Sequence, residues 1–453
     1  MEDTKDRLIK ENDELITDIL KRNYYNEFLQ DNSEKNIELI INRKNTQSTC
    51  YGCFNNTETK MYPYIDFSEN DYDKIYNNLS AFLKYYDAQN WHCPVELNGI
   101  DWSNDEINEK ILVLLQTFAN KTIYNFPKKI IVDTDFYAFA ENQNDAEKRW
   151  RRRYEGFKKT GINLFFNIYT DGYYCNTDEK YSDVYWDKLI FWLNSLHLNK
   201  HSWKIIAYIR PSNVKNWIKN YDWWIDQIGD LAFSHIELRE EKTEDWTYEA
   251  IGDYLNFLNH QIEVLQNRFS AEQFEQIVFD KAQKIIFQNI ALLENKYLIN
   301  ERKNNNCNFF KNLTIDLTTM NIVPCAKINY EDFACGQYIV DNNMIVSVKA
   351  KNIPIVILNT HLKQSCMPHC ENCEHIEHCA GHCLGESYNK CYDMLTPIRE
   401  FCDLSKAKIN FLIYRYLQLN LLTENNFTKW GCNPLYKKSL LTLIEQIQQG
   451  GIL

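Results

Sequence analysis

The sequence predicts an α/β protein in which six strand–helix units precede a cysteine-rich segment and a closing helical tail. Three observations carry this. Short Ile-, Val- and Phe-rich runs recur between residues 36 and 240, amphipathic stretches separate them, and nine of the fifteen cysteines gather between Cys325 and Cys402.

The elements follow in order. Residues 1–35 are charged throughout and read as a helical lead-in. The candidate strands are IELIIN (37–42), CPVELN (93–98), KIIVDTD (129–135), INLFFNIYTD (162–171), WKIIAYI (203–209) and LAFSHIEL (231–238). They show little polar alternation, the pattern of parallel strands buried on both faces. Between them, Ser103 and Glu106 form a capping box ahead of Ile107, Ile111, Leu114, Leu115 and Phe118, which share one helical face. Tyr185, Leu189, Trp192, Leu193 and Leu196 repeat that spacing after Ser182. Six such units in series imply right-handed crossovers, and so a doubly wound sheet, a barrel or a part-barrel. Trp217, Trp223 and Trp224 are expected to pack between helix and sheet.

A helical connector over 241–304 carries Leu255, Leu258, Ile262, Leu265 and Phe269 as its apolar stripe and continues by pattern through 281–299. The polar run 300–308 separates it from the cysteine-rich segment, 305–405. A helical tail, 406–453, opens with KINFLIYRYLQLNLL (408–422).

Composition bounds the function. A chain of 453 residues, 44% hydrophobic and 14% aromatic, with only 13 Gly and 9 Pro, builds one large domain and a smaller one with few disordered linkers. The net charge of −12 argues against a mainly electrostatic nucleic-acid binder, which needs a dense cationic face. The one basic run, KRWRRRY (148–154), reads as a solvated helix face that could meet an anion or an acidic peptide. No apolar signal core opens the chain and no stretch has the length of a membrane helix, so a cytoplasmic protein without membrane contact is expected. In a reducing compartment fifteen cysteines read as metal ligands before disulfides.

The densest signal is CENCEHIEHCAGHC (370–383). Cys370, Cys373, Cys379 and Cys383 stand as C-x2-C-x5-C-x3-C, with Cys325, Cys335 and Cys366 before them and Cys391 and Cys402 after. Thiols at such short gaps can converge on one centre, and nine suffice for two four-thiolate sites. Zinc accepts the same donors, and His369, His375, His378 and His382 could add nitrogens, so spacing alone leaves zinc and iron–sulfur open.

The stretch LTIDLTTMNIVPCAKINYEDFACGQYIV (313–340), followed by that quartet and a later cysteine, resembles the SPASM domain, the C-terminal extension of many radical S-adenosylmethionine (SAM) enzymes. The resemblance implies a partial (β/α)6 TIM-type barrel over residues 36–240, then a SPASM-like iron–sulfur domain holding two auxiliary 4Fe-4S clusters. By position, Cys370, Cys373 and Cys379 would share one cluster with Cys402 or Cys391, and Cys325 and Cys383 would belong to the other. The family's second upstream cysteine is replaced by Asp341, leaving Cys335 and Cys366 as substitutes.

The same family carries C-x3-C-x2-C after the first strand, where three thiolates leave one iron open to SAM. Here Cys50, Cys53 and Phe54 match the end of the motif, but Thr46 stands at its first position, and a neutral hydroxyl is a poor ligand for such a cluster. The glycine-rich loop expected after the second strand reads LNGID, with Gly99 kept and the acidic residue displaced to Asp101. A lone C-x2-C is also what two semi-buried thiols or half a zinc site look like, and Cys93 stands near the top of the second strand. Polar residues at other strand ends, Asp133, Asp135, Asp171, Arg210, Glu237 and Arg239, occupy positions that contact the cofactor in the family, although strand-end loops are polar in general.

Two readings follow from the resemblance. One is a peptide-modifying enzyme, active through hydrogen abstraction if the N-terminal cluster assembles, with a precursor peptide or protein as substrate. The other is a degenerate member that keeps its auxiliary clusters and binds a peptide, a partner maturase or an electron donor. A structural zinc domain on an α/β scaffold is the third.

Overall fold

The computed structural model describes residues 37–40, 69–98, 105–120, 127, 129–134, 136, 146–175, 182–196, 202–241, 244–279, 313–329, 331–351, 369–370, 372–373, 375, 383–423 and a few beyond. The chain divides into two compact units. The first takes in Met1–Tyr169, Asp178–Ile205 and Asn308–Asn359; the second takes in Thr170–Thr177, Ile206–Cys307 and Thr360–Leu453.

Six strands alternate with helices: β1 (Ile37–Ile40), α1 (Glu69–Ala88), β2 (Val95–Asn98), α2 (Asp105–Asn120), β3 (Lys129–Thr134), α3 (Ala146–Lys159), β4 (Asn163–Tyr169), α4 (Asp183–Leu196), β5 (Trp203–Ile209), α5 (Trp217–Ile228), the single turn α6 (Ala232–His235), β6 (Ile236–Glu240) and α7 (Tyr248–Arg268). Then come α8 (Ala271–Phe279), β7 (Leu313–Asp316), β8 (Asn321–Val323), β9 (Gly336–Asp341), β10 (Met344–Ala350), α9 (Leu384–Cys391) and α10 (Arg399–Gln418).

All ten strands among the described residues join one sheet in the order β10-β9-β8-β7-β1-β2-β3-β4-β5-β6. A doubly wound sheet reverses its strand order at a switch point, whereas β1 to β6 run in chain order without reversal. The winding is therefore barrel-like, a TIM-like α/β arrangement, with β1–β2, β2–β3 and β3–β4 parallel. The second edge of β1 is taken by β7, also parallel, and β7, β8, β9 and β10 continue as antiparallel neighbours.

The register sorts the strand side chains of the first unit onto two faces. Leu39, Leu97, Val132 and Phe166 align on one face. There Phe166 meets Trp150, Tyr154, Phe136 and Trp192 in a buried aromatic cluster, so this is the helix-covered side. The opposite face carries Glu38, Glu96 and Ile131 with Phe165, and one step further along Ile40, Asn98, Asp133 and Asn167. The strands thus alternate more than their apolar composition suggests. One face is dry, and the other is lined by partly buried polar groups such as Glu38, Glu96 and Asp133.

The sixth strand differs from its sequence reading. Residues 229–235 are helical and the strand spans Ile236–Glu240. Phe233 belongs to the helical turn because its ring packs edge-on against Tyr221 and Phe269, a contact the periodicity of a short apolar run cannot distinguish from strand burial. The helix predicted after Ser182 buries Tyr185, Leu189, Trp192, Leu193 and Leu196 as expected. Trp217 and Trp224 are fully buried, while Trp223 is half-buried and stacks on Tyr173. Ser103 and residues 281–299 lie outside the described residues.

In the second unit a buried ion pair ties α10 to the end of β6. Lys408 Nζ lies 2.6 Å from Glu240 Oε1, and the Tyr254 hydroxyl of α7 donates to the same oxygen at 2.6 Å. Among the described residues no helix is long and apolar enough to cross a membrane.

Candidate functional site

The loop after β4 and the end of β5 hold a buried polar knot in the second unit. Asp171 forms an ion pair with Arg210, whose Nη1 donates to Asp171 Oδ2. Asp171 Oδ1 accepts from the Tyr208 amide at 2.8 Å, and Asn213 Nδ2 donates to Oδ2 at 3.3 Å. Asn213 Oδ1 accepts from the Arg210 amide at 2.8 Å and from Trp217 Nε1 at 3.0 Å. Burial pushes the Asp171 carboxyl up from its usual range, against Arg210, the Tyr208 amide and Asn213, which pull it down. Burial also works against the Arg210 charge, but Asp171, Glu241 and Glu244 outweigh it and keep the guanidinium charged.

Gly172 is required beside this knot. Its φ is +106°, and a Cβ there would collide with Asn220 Oδ1 and lie 2.6 Å from Trp224 Nε1. Asn220 uses the space to donate to the Asp171 carbonyl and to accept from the Tyr174 amide at 3.2 Å.

Other strand-end residues have local partners. Asp133 accepts from Asn167 Nδ2 at 2.7 Å and from the Tyr169 hydroxyl at 3.1 Å. Glu237 and Arg239, two apart and so on one face of β6, form an ion pair at 2.6 Å. Asp135, Gly99, Asp101, Thr46, Cys50 and Cys53 lie outside the described residues.

The cysteines fall into two chemical classes. Cys93, Cys175 and Cys335 are buried; burial pushes Cys93 and Cys335 up to about 12 and raises Cys175 as well. The Cys335 thiol donates to the Ile322 carbonyl at 3.2 Å. Cys325, two residues past β8, and Cys370, Cys373, Cys383, Cys391 and Cys402 are all half-buried. Cys383 precedes α9, Cys391 ends it, and Cys402 lies in the first turn of α10. The Cys373 thiol is pulled below its usual value, first by the neighbouring His375 side chain, against burial, and further by the His375 backbone and Lys406.

Among the described residues no three His, Cys, Asp or Glu side chains converge on a metal-sized site. Cys366 and Cys379, one of them a member of the quartet, lie outside the described residues, as do His378 and His382. The chemistry of the described donors nevertheless fits a thiolate-bound metal or iron–sulfur group. They sit at partial exposure, where a ligand can reach them, and one is already biased toward the thiolate a metal needs.

Sequence reasoning singled out Asp171 and Arg210, and the structure brings them together. It did not find Asn213 and Asn220, which hold them; an Asn beside a proline-started turn and an Asn inside a helix carry no signal of their own. The sequence offers His375 as a possible nitrogen ligand. Its Nε2 is 2.8 Å from Asn410 Oδ1 of α10, a partner 35 residues away.

No protein-family profile matches the chain, and no curated protein matches it. Solved structures do. A tagged form of anSMEcpe, an anaerobic sulfatase-maturating enzyme, with bound AdoMet is 13% identical, with a TM-score of 0.54 over 90% of this chain and 99% of that one. The native form with AdoMet is also 13% identical, with a TM-score of 0.52 over 85% and 99%. The native form with AdoMet and the Kp18Cys peptide is 13% identical, with a TM-score of 0.51 over 85% and 98%. At this identity the likeness is one of fold.

Proposed function

We propose that the chain is a radical SAM/SPASM-like iron–sulfur protein that modifies a side chain of a peptide or protein substrate. The observation that carries this reading is the fold likeness to anSMEcpe. It spans 85–90% of the chain and involves a protein with bound AdoMet and, in two structures, a bound peptide. The polar face of the sheet and the half-buried cysteines support it.

In this reading Cys370, Cys373 and Cys379, with Cys402 or Cys391, hold one auxiliary 4Fe-4S cluster. Cys325 and Cys383, with Cys366 or Cys335, hold the other. Cys335 is the weaker donor of that last pair, because its thiol is buried and hydrogen-bonded as a donor. Gly99, Asp101, Asp171 and Arg210 are the residues assigned to SAM by their strand-end positions in the sequence, and Cys50 and Cys53 are those assigned to the N-terminal cluster. The bound groups supply one-electron chemistry that protein side chains lack. The chain's own residues bind and orient: Asp171, held by the Tyr208 amide, Asn213 and Asn220, fixes the Arg210 guanidinium at the end of β5.

Thr46 favours a second reading, in which SAM cleavage is lost and the auxiliary clusters serve peptide or partner binding. Anaerobic purification with iron, sulfide and zinc analysis, followed by a SAM-cleavage assay, separates the two. About twelve irons per chain with cleavage supports the enzyme, and about eight irons without cleavage supports the binding protein. Stoichiometric zinc with no iron removes both.

A further inference from the structure

Helix α3 is a cationic element in an acidic protein. Residues 146–159 hold seven bases and two acids, whereas the whole chain carries −12. The helix buries Trp150, Arg153, Tyr154 and Phe157, and its exposed positions carry Lys148, Arg151, Arg152, Lys158 and Lys159 against Glu155 among the described residues. Lys158 and Lys159 suit the helix, because they lie in its last turn, where the dipole favours cations. The others do not. Lys148 and Arg149 stand in the first turn, where the dipole opposes them. Lys148 is also three and four residues from Arg151 and Arg152, spacings at which like charges repel, and Glu155 offsets only part of this. The helix itself gains nothing from these charges, which point outward.

The next helix, α4, adds apolar surface. Phe191 is 58% exposed, and Val184, two turns earlier on the same face, is 45% exposed. The Arg151 guanidinium lies 6.0 Å from the Phe191 ring centroid and 5.7 Å from that of Trp192, and its Nη2 donates to Ser195 Oγ at 3.3 Å. An exposed ring is thereby paired with an anchored cation, and aromatic and arginine side chains are those that concentrate binding energy in protein interfaces. Asp183, Asp187 and Lys188 leave α4 close to neutral, so the joint face stays cationic.

We propose that this α3–α4 face docks an acidic segment of a partner protein, its carboxylates meeting Lys148, Arg151 and Arg152 and an apolar side chain meeting Phe191 and Val184. Charge complementarity selects that class. A nucleic-acid duplex or an anionic bilayer extends well beyond one helix and would also meet the acidic remainder of the chain. Charges act over about 8 Å at physiological salt, less than the diameter of a helix, so a short acidic segment meets the cationic face alone. The inference is independent of the iron–sulfur reading.

The test uses the full chain, purified anaerobically, and the fluorescence anisotropy of a labelled peptide of glutamates with leucine at every fourth position. Wild type should bind it, and more weakly as salt rises. Arg152→Glu and Lys148→Glu, both at exposed positions, should each weaken binding about threefold to tenfold, and Phe191→Ser about tenfold. Lys219→Glu, at an exposed position of α5, should leave it unchanged. Circular dichroism checks that each variant folds; if Phe191→Ser does not, the two charge reversals decide. Iron content and SAM cleavage, read on the same preparations, should be the same in Arg152→Glu as in wild type, so this inference and the proposed function can fail separately. The inference is overturned if wild type ignores the acidic peptide, if Lys219→Glu weakens binding as much as Arg152→Glu, or if a thymidine oligonucleotide or phosphatidylserine vesicles bind more tightly than the peptide.

Discussion

Replacing Lys408 by methionine isolates the buried ion pair that ties α10 to β6. Lys408 and Glu240 have side chains 5% and 4% exposed, with Nζ and Oε1 2.6 Å apart. At an effective dielectric of about 20 the direct attraction at that distance is about 6 kcal/mol, an upper bound that desolvation of both ions opposes. The quantity that matters is the cost of leaving Glu240 alone, typically about 3–5 kcal/mol for a buried charge that has lost its partner. The sign of the pH dependence follows from Glu240. Burial raises its carboxyl, but Lys408 and the Tyr254 hydroxyl bring it below its usual value. A depressed carboxyl contributes stability that is present above its unfolded-state pKa and lost as pH falls through the folded one. In Lys408→Met that carboxyl moves up instead, so the variant's penalty is full at pH 7 and shrinks as acid protonates Glu240. Denaturant unfolding at pH 7.5 and pH 5, followed by far-ultraviolet circular dichroism, reads both effects. A double variant with Glu240→Gln keeps the Tyr254 partner and should recover most of the loss. A Lys408→Met loss under about 1 kcal/mol, or a double variant as unstable as the single, refutes the reasoning.

Three further outcomes follow from the same structure. Gly172→Ala should cost about 1–3 kcal/mol or more, because a positive φ is strained for any L side chain and the new methyl meets Asn220 and Trp224; thermal unfolding measures it. Trp192→Ala empties the centre of the aromatic cluster between α3, α4 and β4 and should cost about 3–5 kcal/mol, read from the denaturation midpoint. In the metal-free chain Cys373 should alkylate before Cys93, Cys175 and Cys335, since its thiol is lowered and half-exposed while theirs are raised and buried; mass spectrometry of iodoacetamide-treated protein gives the order, and a buried cysteine reacting first would contradict it.

The sequence by itself determined the number and type of the strand–helix units, because strands and helices bury apolar side chains at different periods and those periods are local. It also marked Asp171 and Arg210 through their place at strand ends, and the half-buried cysteines through their spacing. It could not choose between a doubly wound and a barrel-like sheet: that depends on strand order, which long-range pairing sets and which β1 to β6 resolve by running in sequence. It could not see that the sheet continues through β7 on the far edge of β1, a pairing between residues more than 270 positions apart. The same holds for residues 231–235. Their apolar run suits a strand or a turn of helix equally well, and the packing of Phe233 on Tyr221 and Phe269 decided for the helix. Asn410 and Lys408 read as ordinary polar residues of a helix until tertiary structure places one against His375 and the other against Glu240. Spacing along the chain names the groups able to do chemistry. Which of them meet, and how each is tuned, is decided by contacts whose partners lie far apart in sequence, where no local period reaches.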